Sequence, residues 1–582
     1  MVRSLVVVSA LVAALPASLL APVAGATPEE SVHSVLESVP LMSASAVPNS
    51  RDTDVREITG KRFAMVALRG KTRAPEGAQV QAKRLDGRWG DWLPLAKADD
   101  ERAGNATEPV WVGDSTALRV RTVDPAGVSV VVIDPGSRPA DAKRSTTLAS
   151  GTGRPAVISR ADWGADERIR TDCFARQGIG VEYSATTKAA TIHHDAGSND
   201  YSPADAARIV RGIYAFHAQD RDWCDIGYNA LVDKYGQIFE GRVGGLEVPV
   251  LGAHAGGFNR YTFGVSMLGN LNTAAPSPAQ LDSVSAIVAW KLAGSYRDPN
   301  SQVRLVSTGG GTAKYPAGTE VALPAIFGHR DVGNTECPGE LGYQQLPAIR
   351  QRVTERMGDW TSSPIYRKWQ ATGADAGELQ GAFRLESDAT NGGRWASFAG
   401  GAKSVYWSPT TGAQIVWGNI RVKWTELGAE TGILGYPTTD ELPAANGGRY
   451  NDFQGLGGAI YWTPATGAHQ IMGAIRWKWA KLDAERGALG YPLTDEMVTA
   501  DGLGRYNHFQ GMYSSIYWTA ATGPQEVRGL IKQRWADLGW ERSYLGYPVT
   551  DEYSVPGGRR SDFQHGYITW DASTGQVVDS RT

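Results

Sequence analysis

The hydrophobic positions change their period along the chain, and each change marks a different kind of structure. Residues 5–20, LVVVSALVAALPASLL, form an apolar run with Arg3 before it and the small-residue site Ala24-Gly25-Ala26 behind it. This pattern predicts a secretory signal over residues 1–26, cleaved after Ala26. No later run approaches the ~20 apolar residues of a spanning helix, so no membrane span is expected. Residues 27–50 are polar and contain Ser and Pro, which predicts a flexible stretch. From 56 to 134 hydrophobics alternate with polar residues, as in RFAMVALRG and ALRVRTVDPAGVSVVVID, with turn signals between the runs. That spacing predicts a β-sandwich, with Trp89, Trp92 and Trp111 packed in its core. Residues 135–156 are rich in Pro, Gly, Ser and Thr and predict a linker.

After residue 156 strand-like and helix-like patterns interleave. Ser202-Pro203 opens a helical run in which Ile209, Val210, Ile213 and Phe216 share one face, and Ser277-Pro278 opens a second. Between them lie the hairpin-like YNALVDKYGQIFEGR and the strand-like FGVSMLGN. Residues 157–360 are therefore expected to form a central α/β domain, a mixed sheet with helices on its faces. From 361 to 582 the chain repeats itself. LGYP recurs at 434–437, 489–492 and 545–548, each followed by an acidic pair, Asp440-Glu441, Asp495-Glu496 or Asp551-Glu552. Trp369, Trp424, Trp479 and Trp535 lead the units, and in the first unit Leu379-Gln380-Gly381-Ala382 stands where LGYP is expected. This predicts an array of four β-rich repeats, whose aromatics either fill small cores or stack on sugars.

Composition narrows this multidomain picture. A chain of 582 residues exceeds one core, and a net charge of −3 leaves no electrostatic footprint for nucleic acid. Three cysteines, Cys173, Cys224 and Cys337, are an odd number for an exported protein, so one of them has another task. Two stretches carry chemistry. TIHHDAG (191–197) places His193 and His194 at the end of an apolar strand, and FGHRDVGNTECPG (327–339) places His329 eight residues before Cys337, with Thr335 between them. Imidazole and thiolate suit zinc, and one histidine of the first stretch with His329 and Cys337 makes three ligands, the number of a catalytic site with an open position. There is no HExxH glutamate, so a zincin protease is the wrong template. His217, His469, His508 and His565 have no ligand spacing, and His217 is expected at the surface.

Five segments in order, ISRADWGAD, TIHHDAG, WCDIGYNALVDKYGQIFEGR, GAHAGGFNRYTFGVSMLGN and FGHRDVGNTECPG, resemble the peptidoglycan recognition protein and phage-lysozyme type of zinc N-acetylmuramoyl-L-alanine amidase. The resemblance implies His193, His329 and Cys337 as ligands of a Zn2+ ion, and it leaves Cys173 and Cys224 to pair as a disulfide. It implies Tyr228 as the catalytic phenol and Thr335 as a donor to the oxyanion, and places His254 and Asn259 along the substrate groove. His194, on the other face of its strand, is assigned to the surroundings of the metal and groove. The implied reaction is hydrolysis of the amide between the lactyl group of N-acetylmuramic acid and L-alanine, with zinc making hydroxide available near neutral pH. The 56–134 region resembles the β domain that precedes amidase domains in secreted actinobacterial proteins. The 361–582 region resembles LGFP repeats, which implies retention on cell-wall polysaccharide through several weak sites. The expected protein is a secreted, wall-associated enzyme acting on peptidoglycan. The alternative is a binding protein of the same fold that recognises muropeptide without cutting it; such members of the family lack the cysteine ligand, and Cys337 and Tyr228 favour catalysis here.

Overall fold

The computed structural model describes residues 32–47, 55–98, 105–142 and 153–582. The expected signal at 1–26 lies outside them, as do residues 143–152 of the expected linker.

The N-terminal domain is built on one long strand, Val55–Arg69, whose register shifts on either side of Phe63. Bulges bend a strand, so its first half pairs with one end of Val110–Arg121 and its second half also pairs with Ser129–Asp134. Gln79–Arg84 and Leu93–Pro94 extend the sheet on one side. Val35–Pro40 extends it on the other, so this part of the 27–50 stretch is a strand rather than a free segment; its half-exposed edge position gave only weak alternation. Phe63, Val66, Leu68, Val80, Leu118, Val120 and Val130 form the core. Trp89 and Trp92 do not belong to it: they lie under the guanidinium groups of Arg119 and Arg121, at 3.9 and 4.3 Å.

The central sheet has the order Ile238–Glu240, Ala230–Val232, Thr262–Met267, Ala189–His194, Ile326–Gly328. It is mixed, the first pair being antiparallel and the rest parallel. Ala189–His194 sits inside, buried at every residue. Helices Pro278–Gly294 and Leu346–Met357 pack on one face through Val284, Ile287, Ile349 and Val353. The former starts as the sequence predicts, with Ser277 Oγ accepting the Gln280 N–H at 3.0 Å. The helix on the other face starts later than expected, at Ala206, because Asp205 accepts both the N–H and the hydroxyl of Ser202.

That helix, Ala206–Ala215, is buried on every side. Its apolar face meets the central sheet, and the face bearing Arg208 and Arg211 is covered by the N-terminal domain. Arg208 pairs with Asp114 at 2.6 Å. Arg211, fully buried, pairs with Asp141 at 2.6 Å and donates to the Pro135 carbonyl at 2.8 Å. Met65, Ala67, Trp111, Val131 and Ile133 join Ile209, Ile213 and Phe216 in one apolar cluster. Residues 135–142, within the expected linker, are thus part of an interface. A shared core of this kind fixes two domains that otherwise move independently.

Each C-terminal unit is a short helix followed by a four-stranded antiparallel sheet. The leading tryptophans Trp369, Trp424, Trp479 and Trp535 are at most 3% exposed. Trp424, Trp479 and Trp535 donate Nε1–H to the glycine carbonyls of their LGYP motifs at 3.0–3.2 Å; these rings are core, not sugar platforms. Consecutive units are latched. Asp440, Asp495 and Asp551 each accept a backbone N–H from the last strand of the preceding unit at 2.9 Å. Each also pairs with a lysine on that unit's helix, Lys368, Lys423 or Lys478. The LGYP tyrosines Tyr436 and Tyr491 donate to carbonyls of the preceding unit, Thr390 and Ala445. The first unit has no predecessor and abuts the central domain instead. A Cβ at Gly381, the position of Tyr in LGYP, would lie 2.5 Å from Thr186 Cβ, which accounts for the altered motif. Leu385 N–H donates to the Glu247 carbonyl at 3.0 Å, and Arg297 holds Asp375 at 2.6 Å.

Candidate metal centre

His193, His329 and Cys337 come from three separate segments and meet in one buried cluster. His193 is the penultimate residue of the central strand, His329 follows the adjacent parallel strand Ile326–Gly328, and Cys337 lies on the loop that returns from it. One ligand atom from each lies within 4.8 Å of the others. Cys337 Sγ is 3.6 Å from His193 Nδ1 and accepts the backbone N–H of His194 at 3.4 Å. Burial pushes His193 well below the ordinary histidine range, helped by the neighbouring His329, His254 and His194. Burial, with a smaller contribution from Lys314, lowers His329 to about 4. Both rings are therefore neutral donors at neutral pH. Two neutral imidazoles and a sulfur, with no carboxylate in the set, fit zinc.

The surroundings orient these donors. His254 Nδ1 and His193 Nε2 are 3.0 Å apart. His254 is itself seated by Asn259, whose Oδ1 accepts the N–H groups of His254 and Ala255 at 2.7 and 2.8 Å. Its ring fills a slot between glycines: a Cβ on Gly252 or Gly264 would fall 2.4 Å from its Cδ2. His194 Nδ1 accepts the Leu271 N–H at 3.1 Å. Thr335 Oγ1 accepts the Cys337 N–H at 2.8 Å, which shapes the cysteine loop.

A cavity of about 230 Å³ opens over the cluster. His193, His194, His254, Asn259, His329, Cys337 and Tyr228 line it, whereas Thr335 is not among its lining residues. The Tyr228 ring lies 5.3 Å from that of His193. Its loop is held by Asp225, fully buried against Arg160 at 3.0 Å, and by Asn229, which accepts the Gly264 N–H and donates to the Val250 carbonyl. Cys173 and Cys224 form a disulfide immediately before Asp225, pinning this loop to the helix Glu167–Gln177. A closed loop of 51 residues is worth about 4 kcal/mol in the chain-entropy account.

Several lining residues were not expected from the sequence, three of them with titratable or aromatic side chains. His217 is 3% exposed rather than at the surface; the helical run ends in a wide turn over Phe216–Asp220, and its Nδ1 accepts the Gly227 N–H at 3.2 Å. Trp223 packs on it at 4.7 Å. Glu108 comes from the N-terminal domain. WCDIGYN marks Trp223, but no local pattern marks the other two.

The N-acetylmuramoyl-L-alanine amidase family model matches residues 183–340. The LGFP repeat model matches 385–432, 434–487, 489–543 and 545–579, and a model described as Rv3811 N-terminal galactose-binding domain-like matches 24–149. Peptidoglycan recognition protein 1 of Bos indicus is 30% identical over 199 residues, which cover 34% of this chain and 86% of that protein. Peptidoglycan-recognition protein SC2 of Drosophila melanogaster is 31% identical over 183 residues, covering 31% and 80%. The solved structure of Drosophila PGRP-LB is similar at 26% identity with a TM-score of 0.25, over 33% of this chain and 93% of that one. The chain belongs to the peptidoglycan recognition protein family, with its amidase-type domain set between a galactose-binding-like β domain and four LGFP repeats.

Proposed function

We propose that this protein is a secreted, zinc-dependent N-acetylmuramoyl-L-alanine amidase. It hydrolyses the amide between the lactyl group of muramic acid and L-alanine, and its repeats hold it on cell-wall polysaccharide. The observation that carries the reading is the convergence of two buried imidazoles and one buried sulfur beneath a cavity that Tyr228 also lines. His193, His329 and Cys337 hold the metal. When bound, zinc supplies Lewis acidity near neutral pH, polarising the scissile carbonyl and acidifying water. His254 fixes the ring of His193 through their hydrogen bond, the support that metal-binding histidines usually receive. Tyr228 offers a hydroxyl that orients the attacking water and passes its proton toward the leaving nitrogen. Thr335 acts through Cys337, as a positioning residue.

The test is made on the full chain, because the central domain shares its core with the N-terminal one. Purified protein is incubated with peptidoglycan, and newly freed L-Ala amino termini are measured with chelator, after zinc is restored, and in Cys337→Ala. Zinc-restored release that Cys337→Ala lacks is the expected result. Binding without any freed amine in zinc-replete protein would move the chain to the recognition class.

A further inference from the structure

Glu108 belongs to the N-terminal β domain, yet it lines the cavity above the metal cluster. The loop that carries it is firmly placed. Thr107 exchanges hydrogen bonds with Leu68, its N–H donating to the carbonyl at 2.8 Å and its Oγ1 accepting the amide at 2.9 Å. Glu108 N–H donates to the Ala96 carbonyl at 2.8 Å. From the central domain, the buried Arg221 donates to the Thr107 carbonyl at 3.3 Å and brings its Nη2 to 3.9 Å from Glu108 Oε1, the outer limit of an ion pair. The Glu108 side chain keeps 14% exposure. With the two domains sharing an apolar core, this carboxylate is a fixed part of the cavity wall.

Its neighbours indicate what it meets. Arg221 leads to the half-buried Trp223, Trp223 packs on His217, and His217 on Tyr228, whose ring faces His193. The cavity lining therefore offers an aromatic ring and a carboxylate acceptor, together with the glycine-rich set Gly256, Gly257, Thr308 and Gly309. An ionised carboxylate accepts hydrogen bonds and donates none. It repels the carboxylates of a stem peptide and bonds well to the hydroxyls of a neutral sugar, whose apolar face lies against an indole.

We infer that the N-terminal β domain forms one wall of the substrate groove, and that its Glu108 is a specificity-determining residue accepting hydrogen bonds from the hydroxyls of the glycan beside the scissile amide. The inference rests on the peptidoglycan reading above, but not on hydrolysis, so it is tested by binding. Calorimetry on the full chain compares two probes, a disaccharide-tetrapeptide muropeptide and the same tetrapeptide bearing only the lactyl group. Binding is measured in Cys337→Ala, which keeps both probes intact, with and without Glu108→Gln, a nearly isosteric change; thermal melts check that the interface survives. The expected result is a loss of roughly tenfold for the disaccharide probe, the scale of one charge-assisted hydrogen bond, with the sugar-free probe unchanged. An unchanged affinity for both probes, an equal loss on both, or a loss confined to the sugar-free probe would overturn the inference. Failure of Cys337→Ala to bind either probe, matched by wild-type protein in chelator, would overturn it as well, whereas absent hydrolysis alongside intact binding would count only against the amidase reading.

Discussion

The metal cluster and the repeat array both gather polar and aromatic side chains, and they draw the partners from different distances. In the repeats, the indole N–H groups of Trp424, Trp479 and Trp535 find carbonyls within their own units, and Asp440, Asp495 and Asp551 find a backbone donor and a lysine. In the cavity, imidazoles crowd together under a strong burial penalty: His194 and His254 are both pushed down to about 3, chiefly by burial. The Nε2 atoms of His254 and His329 are buried without a hydrogen-bond partner. Unpaired buried atoms also occur in the repeats, at Asn451 Oδ1, Gln470 Oε1 and Trp570 Nε1, so what marks chemistry is the gathering of neutral imidazoles and a sulfur from distant segments into one cavity.

The sharpest way to break this contrast is to remove Cys337. Loss of an outer partner of a metal ligand already costs 10–100-fold in affinity, so Cys337→Ala is expected to weaken zinc binding by more than ~100-fold. Metal content measured after gel filtration checks this, and hydrogen exchange in the repeats should not change. The converse is Trp479→Ala. Emptying a fully buried indole site costs about 3–5 kcal/mol, so amides of residues 473–527 should exchange much faster while bound zinc stays constant. A drop in zinc content in that variant would mean that the two regions do not fold separately.

A third test separates buried charge from metal chemistry. Lys291, wholly buried in the central domain, donates to the carbonyls of Leu246 and Val248. Burial lowers it to about 7 from an ordinary 10.5, with Glu247 opposing. Between pH 7 and 10.5 the unfolded chain therefore binds the additional proton, and the contribution of Lys291 to stability rises with pH, by at most about 1.4 kcal/mol per unit. Below about pH 7 both states are charged and the full penalty applies. Urea unfolding of Lys291→Met should lack this alkaline rise; equal slopes in the two proteins would refute the assignment. The smallest expected effect is at the latch. Asp495→Ala deletes a backbone acceptor and a lysine partner between units and should cost about 1–2 kcal/mol, visible as a lower urea midpoint for the array alone.

What was legible in the sequence was local. The repeats declare themselves by period, the helix at Pro278 by its Ser-Pro start, and His193, His329, Cys337 and Tyr228 by short segments in a recognisable order. What was hidden depends on residues far apart in the chain. The helix Ala206–Ala215 shows an ordinary amphipathic pattern, and nothing in it announces that a second domain covers its arginines. His217 was misplaced because a wide turn and the Gly227 amide draw it inward. Glu108 reaches the cavity across more than 80 residues of sequence. Gly381 departs from the LGYP motif, and its reason lies in another domain, since a side chain there meets Thr186.

That fit at Gly381 has a mechanical side. Repeat arrays end in units altered to meet something other than another copy, and here the central domain takes the place of the missing neighbour. The array consequently starts flush against it, without slack, and continues through latched joints. A central domain joined to such a strut cannot sweep the volume that a loose leash would allow. Its distance from the far end of the array is set by the number of units, so adding or deleting one would change that distance by one repeat's length while leaving the cavity untouched.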